Sequence, residues 1–276
     1  MIIKLIHGDN IKDKISKGKN PKNRILLIKI RSKYKHWNNE NMKITGITKK
    51  DIGKKVKLLN NYKHFIEDAI YKKEKGRSQG FTSQSKLHST VIEEFMYYLF
   101  KNIPKLSNKH LYWGPKGAYT NLYFSPVNID KFERDSSIII NVKNQDFSIS
   151  KEIILKSKVS NSDNWIEKEL YVPIVSIECK TYLDKTMYEG SVSTAERIKK
   201  GNPYCIFLIA TETYDVGKDV DPKYSSIDQI YILRKVNNKN NPIDENVVWD
   251  LFMFVKKHID SDWYNVEENI KKGRLI

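Results

Sequence analysis

The sequence predicts a layered α/β fold, in which helices alternate with a block of β-strands. Residues 88–103 (HSTVIEEFMYYLFKNI) carry an apolar stripe at helical spacing, which is typical of a helix packed on a core. Residues 171–180 (YVPIVSIECK) are rich in β-formers, and residues 204–211 (YCIFLIAT) form an apolar run typical of a fully buried strand. This order of elements indicates a sheet covered by helices.

The N-terminal third is predicted to begin with two short strands, residues 2–6 (IIKLI) and 24–30 (RILLIKI), joined by a polar loop. Residues 60–74 are predicted to form a helix, because apolar side chains recur on one of its sides. Residues 104–135, which follow the helix over 88–103, are predicted to be irregular.

The second half is predicted to be mainly β-structure, followed by alternating helices and strands. The predicted strands are residues 137–142, 145–149, 151–155, 171–180, 204–211 and 228–233. The predicted helices are residues 186–200, which Gly201-Asn202-Pro203 would end, and residues 246–259.

The positive charge is concentrated at the N-terminal end. The chain has 49 Lys and Arg against 33 Asp and Glu, a net charge of +16. Residues 1–86 hold 23 basic and 7 acidic side chains, whereas residues 87–276 hold 26 of each. The basic region contains the lysine pairs Lys49/Lys50, Lys54/Lys55 and Lys72/Lys73. We therefore predict a basic region, residues 1–86, that grips a polyanion, and a second region, residues 87–276, with another task.

A polar, glycine-containing segment, residues 76–86 (GRSQGFTSQSK), has the composition of a loop. Arg77, Gln79, Gln84 and Lys86 in this loop are side chains that can bond to base edges or to phosphates of DNA. The alternative is a loop that is only solvated. Base reading by these residues is kept as a hypothesis.

Several other classes of protein are excluded by what the sequence lacks. No apolar run approaches the length of a membrane span, and no signal-peptide pattern is present, so a cytoplasmic protein is expected. Cys179 and Cys205 each lie in an apolar run, as buried reduced thiols do. The six histidines show no metal-ligand spacing, and there is no Walker A loop, G-x-S-x-G or dinucleotide fingerprint.

The strand over 171–180 carries the residues best suited to chemistry. Side chains alternate faces along a strand, so Val175, Ile177 and Cys179 are predicted to point into an apolar layer. Glu178 and Lys180 then share the opposite face, at the C-terminal end of the strand, where ligands sit in open α/β sheets. The alternative is an ordinary exposed ion pair that contributes little.

This pair of residues suits the hydrolysis of a phosphodiester. The reaction needs carboxylate oxygens to hold a hard divalent cation, an aligned water, and a cation near the developing charge. Asp146 is the best candidate for the second carboxylate, because alternation in QDFSI turns it away from the apolar face of Phe147. Asp130 and Asp135 are weaker rivals, since they lie in a charged, irregular stretch.

Asp146, followed by Glu178-Cys179-Lys180 on a strand, a helix and a buried strand, resembles the PD-(D/E)xK nuclease superfamily. The segments EFMYYLF, NQDFSI, VPIVSIECKTYLDKTM and NPYCIFLIATE look like the BbvCI-type group of type II restriction endonucleases, over about residues 85–212. Gln145 stands where the Pro of the superfamily name would be. The resemblance implies a three-layer restriction-endonuclease-like core, with a mixed central β-sheet flanked by helices.

The resemblance also implies the roles of individual residues. Asp146 and Glu178 would ligate Mg²⁺, for which Mn²⁺ can substitute, together with the backbone carbonyl of Cys179. Lys180 would position or deprotonate the attacking water. An acid from the preceding helix often joins such sites, and here we favour Glu94 over Glu93. Both acids could equally serve as favourable first-turn charges of the helix.

The resemblance therefore implies a sequence-specific restriction endonuclease that hydrolyses double-stranded DNA and leaves 5′-phosphate and 3′-hydroxyl ends. Residues 87–276 would form the nuclease core, and residues 1–86 would grip the DNA. Cleavage of both strands implies two subunits, or two visits by one active site. The resemblance implies two subunits, in a homodimer or in a heterodimer with a related subunit. The alternatives are a repair nuclease or junction resolvase on the same fold, and a DNA-binding protein without catalysis.

Overall fold

The computed structural model describes residues 2–3, 5–17, 21–67, 87–107, 109–160, 162–218, 220–273 and 275. Arg77, Gln79, Gln84 and Lys86 lie outside the described residues, so base reading by this loop stays a prediction. The same holds for the end of the predicted helix over 60–74. Its beginning belongs to a helix that spans Lys49–His64.

The described strands and helices follow one another along the whole chain. The strands are β1 (Ile2–Ile3), β2 (Leu111–Gly114), β3 (Gly117–Phe124), β4 (Ile138–Asn144), β5 (Phe147–Ser157), β6 (Ile166–Lys180), β7 (Leu183–Asp184), β8 (Ile206–Thr211), β9 (Tyr214–Asp215) and β10 (Gln229–Ile232). The helices are α1 (Ile6–Lys17), α2 (Pro21–Lys43), α3 (Lys49–His64), α4 (Ser89–Phe100), α5 (Ile129–Arg134), α6 (Lys185–Gly201), α7 (Glu245–Asp260) and α8 (Val266–Lys271).

The central sheet has six strands in the order β1-β2-β5-β6-β8-β10. Strands β2, β5 and β6 pair antiparallel, whereas β6, β8 and β10 run parallel, and β1 pairs parallel with β2. The sheet is therefore mixed, as predicted. Strands β3 and β4 pair antiparallel in a separate two-stranded hairpin, and β4 ends two residues before Asp146.

Strand β8 shows why the fold has three layers, because its side chains feed two different cores. Leu208 and Ala210 pack into a core shared with helices α1–α4 and α7. Phe207 and Ile209 pack on the other face of the sheet, with helix α6 and with Ala118 of the hairpin. A strand buried on both faces reads as a continuous apolar run, which is how residues 204–211 were interpreted.

The strand predicted over residues 24–30 is wrong, because this segment lies within α2. Leu26, Leu27 and Ile30 are buried, whereas Ile25 and Ile28 are exposed. That spacing is helical, and it continues to the buried Trp37. The predicted strand over residues 2–6 is also shorter than expected, because β1 ends at Ile3 and α1 begins at Ile6.

Residues 104–135 were predicted to be irregular, and this prediction is wrong. The segment contains β2, β3 and the short helix α5. Strand β2 lies inside the central sheet, paired with β5, and Trp113 in this strand is fully buried. Its four residues are all buried, so the alternation that marks a half-exposed strand is missing.

The basic N-terminal region is built into the same core as the rest of the chain. Helices α1, α2 and α3 bury apolar residues such as Ile11, Trp37 and Leu59 in one cluster with Phe95 and Phe252. The division at residue 86 is therefore a division of charge and not of the core. Among the described residues, we find no helix that is both long and apolar enough to cross a membrane.

Candidate active site

Strand β6 presents two charged side chains at its C-terminal end. Val175, Ile177 and Cys179 are buried in the core that faces α4, as their alternation predicts. The side chains of Glu178 and Lys180 are 13% and 25% exposed, and Lys180 Nζ lies 3.1 Å from Glu178 Oε2. The two side chains form a close ion pair, and Lys180 lines a cavity.

Asp146 comes to this pair from the neighbouring strand. Antiparallel pairing of Phe147 with Ile177 brings the residue before Phe147 next to Glu178. Asp146 Oδ2 accepts hydrogen bonds from the backbone N–H of Cys179, at 2.9 Å, and from Lys180 Nζ, at 3.2 Å. Two carboxylates from adjacent strands therefore converge on one ammonium group, 32 positions apart in the sequence.

The electrostatics keep Lys180 charged. Burial lowers the pKa of Lys180, but the carboxylates of Asp146 and Glu178 outweigh this effect, so its pKa lies above the ordinary value. Burial, reinforced by nearby carboxylates, raises the pKa of the Cys179 thiol well above its ordinary value. Cys179 is therefore a neutral core residue, and its contribution to the site comes from its backbone.

Two further residues support the site: Ser191, which the sequence did not point to, contacts one carboxylate, and Gln145 anchors the backbone next to Asp146. Ser191 of α6 lies with its hydroxyl 2.7 Å from Glu178 Oε2, to which it donates. Gln145 accepts a hydrogen bond from the buried Ser176 hydroxyl, and its backbone N–H donates to the Lys116 carbonyl at 3.1 Å. Gln145 thus anchors the start of β5 at the position where the superfamily name has Pro.

The site opens into a cavity of about 960 Å³. Asp146, Lys180 and Glu93 line this cavity together with Lys116 from the loop before β3. The first turns of α1 form the opposite wall, with Asp9, Asn10 and Asp13. The cavity is large enough to admit a phosphate and its neighbouring sugars.

Glu94, which the sequence analysis favoured as the additional acid, does not line the cavity. It is 1% exposed, and its carboxylate accepts from the backbone N–H groups of His7 and Gly8, at 2.9 and 3.1 Å. The Tyr98 hydroxyl also donates to it at 2.5 Å. Glu94 therefore caps the N-terminus of α1 inside the core, and the preference for Glu94 over Glu93 is wrong.

Asp130 and Asp135, the weaker rivals of Asp146, belong to a different part of the molecule. Asp130 is exposed on α5, beyond the end of strand β3. Asp135 forms an ion pair with Lys131 of the same segment, at 3.7 Å. Neither residue lines the cavity that contains Asp146.

The donor set fits a small, hard divalent cation. In the part of the chain that the structure describes, no group of three His, Cys, Asp or Glu side chains is arranged to hold a metal. Mg²⁺ needs fewer protein ligands than that, because it is commonly bound by one or two carboxylates plus waters and substrate phosphates. Asp146 and Glu178, both held by Lys180, match this requirement.

Comparison with known proteins places the chain among DNA-cleaving enzymes. A family model described as Bpu10I restriction endonuclease matches residues 84–247, more than half of the chain. The solved structure of the native BbvCI A2B2 tetramer is similar, with 21% identity and a TM-score of 0.72, over 93% of this chain and 97% of that chain. This likeness confirms the predicted restriction-endonuclease-like fold. No curated relative matches the sequence at a significant level.

Proposed function

The chain belongs to the Bpu10I restriction endonuclease family and is a type II site-specific deoxyribonuclease. We propose that it hydrolyses DNA with Mg²⁺, in an active site formed by Asp146, Glu178 and Lys180. The observation that carries this proposal is the convergence of both carboxylates on Lys180 Nζ, beside a cavity that Asp146 and Lys180 line. Incubation of the protein with mixed-sequence DNA and Mg²⁺, followed by sequencing of the ends, tests it. Ends without a common sequence would contradict site-specific cleavage.

Asp146 and Glu178 would hold the cation, together with the backbone carbonyl of Cys179. When bound, Mg²⁺ neutralises the scissile phosphate and lowers the pKa of a coordinated water. Lys180 Nζ bonds to both carboxylates, and its third N–H would be able to donate to the attacking water or to a phosphate oxygen. Ser191 keeps the Glu178 carboxylate turned towards the site.

Glu93 takes the place that the sequence analysis gave to Glu94. It lies on α4 and lines the cavity with Asp146 and Lys180. We propose that its carboxylate helps to hold the cation or an attached water. Hydrolysis that breaks the P–O3′ bond leaves a 5′-phosphate and a 3′-hydroxyl, the ends that the resemblance implies.

One active site cuts one strand, so cleavage of a duplex needs two sites or two visits by one site. The similar solved structure is an A2B2 tetramer, and we propose that this chain likewise acts in a heteromer or, failing a related partner, as a homodimer in the cytoplasm. Sedimentation of the purified chain, alone and with a co-expressed related subunit, distinguishes these assemblies. A chain that cuts both strands as a monomer would overturn the proposal.

We expect cleavage to require Mg²⁺ or Mn²⁺, and Ca²⁺ to support DNA binding without turnover. Ca²⁺ accepts more ligands at longer distances, so it can fill the site without aligning the water. The measurement is cleavage and binding of one duplex in each ion, with excess chelator as the control. Full cleavage in the chelator would sink the assignment of a metal site.

The basic N-terminal region remains the proposed source of salt-dependent DNA affinity. Lys49, Lys50 and Lys54 are exposed, and Lys54 also pairs with Asp51 at 3.4 Å. Lys55, in the same run, is fully buried, and its Nζ donates to the Tyr98 carbonyl at 2.8 Å. Lys55 therefore stabilises the fold, and it does not belong to the DNA-binding surface.

Replacement of Lys49, Lys50 and Lys54 by Ala should weaken binding to cognate and random duplexes alike. Each lost phosphate contact lowers the slope of log K against log[salt] by about 0.9. Binding across a salt series measures this slope. As the control, three exposed lysines of the second region, Lys109, Lys218 and Lys223, are replaced together. Equal slopes for both triple variants would show that these N-terminal lysines are only solvated.

A further inference from the structure

A cleft between the hairpin β3–β4 and helix α6 collects positive charge in the region whose net charge is zero. It has a volume of about 420 Å³, and its charged lining residues are Lys143, Arg197 and Lys200. All three are exposed. Within the described residues, no acidic side chain lines the cleft or pairs with these cations. Zero net charge over residues 87–276 thus conceals a local basic patch.

The polar neighbours of these cations are amides. Asn121 and Asn141 lie across the hairpin from each other and line the same cleft. Arginine presents a planar fork of donors that matches phosphate oxygens, whereas lysine supplies a point charge and asparagine a neutral donor. All three residue types are among those that proteins use to contact phosphate oxygens of the DNA backbone.

The two walls of the cleft are held together by packing and by backbone contact. Ala118 of the hairpin packs with Ala195 and Ile198 of α6 in one core cluster. A Cβ atom at Gly201 would lie 2.3 Å from the Thr120 carbonyl oxygen, so only glycine allows the end of α6 to approach the hairpin this closely. The cations are therefore presented by a preformed surface.

Two chain segments, residues 143–146 and helix α6, connect the cleft to the active site over short distances. Lys143 precedes Asp146 by three residues, which separates them by at most about 11 Å. Met187, at the start of α6, lines the active-site cavity, and Arg197 follows ten residues later, about 15 Å along the helix. At 3.4 Å per base pair, about 15 Å corresponds to four or five base pairs of duplex.

We propose that Lys143, Arg197 and Lys200 bind backbone phosphates of the DNA duplex, within about five base pairs of the phosphate that is cleaved beside Asp146 and Glu178. This inference rests on the proposed nuclease function. The contact is independent of sequence, and it fixes the position of the duplex while other residues read the bases.

The test compares two triple variants in Ca²⁺, in which DNA is bound without turnover. K143A/R197A/K200A should flatten the salt slope by about 2.7 on cognate and random duplexes, which lowers affinity at 0.15 M salt by about 10²-fold. K109A/K218A/K223A, with three exposed lysines outside the cleft, should keep the wild-type slope. Both variants should fold normally, because each replaces only exposed side chains.

Neutral methylphosphonates, placed one at a time within five positions of the cut, locate the contact. The affinity of wild-type protein should fall when the methylphosphonate is at two or three of these positions. The affinity of K143A/R197A/K200A should not fall there, because this variant already lacks the contact. Additive losses, or an unchanged salt slope, would overturn the inference. Wild-type protein that neither cuts nor binds DNA would instead overturn the proposed function.

Discussion

Glu178→Ala and Lys180→Ala should each lower the rate of DNA cleavage by about 10³-fold or more, the size of effect seen when one preorganised charge is removed from an active site. Glu178 supplies one of the two converging carboxylates, and Lys180 Nζ lies within 3.2 Å of both. Single-turnover cleavage at saturating enzyme measures the effect on the chemical step. DNA binding measured without a divalent cation should change little, because neither residue is needed to hold the flanking backbone.

The same strand provides matched controls for this pair. Glu167 and Lys168 lie near the start of β6, at the opposite end from Glu178 and Lys180. Alanine at either position should leave the cleavage rate within about twofold of wild type, because surface ion pairs such as Glu167 with Lys156 contribute little. Near wild-type cleavage by Glu178→Ala would contradict the catalytic role assigned to Glu178.

The prediction of the charged pair from sequence worked because β-strands have a period of two. Val175, Ile177 and Cys179 mark one buried face, so Glu178 and Lys180 had to share the other. The same alternation in QDFSI turned Asp146 away from the buried Phe147. These inferences needed only local geometry and the pairing of two neighbouring strands.

Elements that depend on distant partners were not predictable in this way. Residues 24–30 are apolar enough for a strand, and only packing of Leu26, Leu27 and Ile30 against other helices shows that they are helical. Ser191 reaches Glu178 from a helix 13 positions later. No local pattern announces such a contact, because a serine within a helix is most often only solvated or bonded to its own backbone.

The choice between Glu93 and Glu94 failed for the same reason. Both residues flank the apolar stripe of α4, so helical periodicity does not separate them. The deciding partner is the N-terminus of α1, 86 and 87 positions away, whose backbone N–H groups bind Glu94. A buried carboxylate is tolerated there because it receives hydrogen bonds, although burial still raises its pKa.

Substitutions of Glu93 and Glu94 should separate an effect on the cleavage rate from an effect on the stability of the fold. Glu93→Gln should lower the cleavage rate by about tenfold or more, because it removes a charge that lines the catalytic cavity. The free energy of unfolding should change by less than about 0.5 kcal/mol, since Glu93 is only partly buried. Cleavage kinetics and urea unfolding, measured on the same preparation, test both statements.

Glu94→Gln should do the reverse. The amide oxygen can still accept from the N–H groups of His7 and Gly8, but the NH2 group then faces the Tyr98 hydroxyl, whose buried proton loses its acceptor. Such a mismatch costs about 1–3 kcal/mol, or roughly 2–10 °C in melting temperature for a chain of this size. At temperatures where the variant is folded, its cleavage rate should approach that of wild type. A folded Glu94→Gln protein that cannot cut, paired with a fully active Glu93→Gln, would reverse the roles assigned to the two residues.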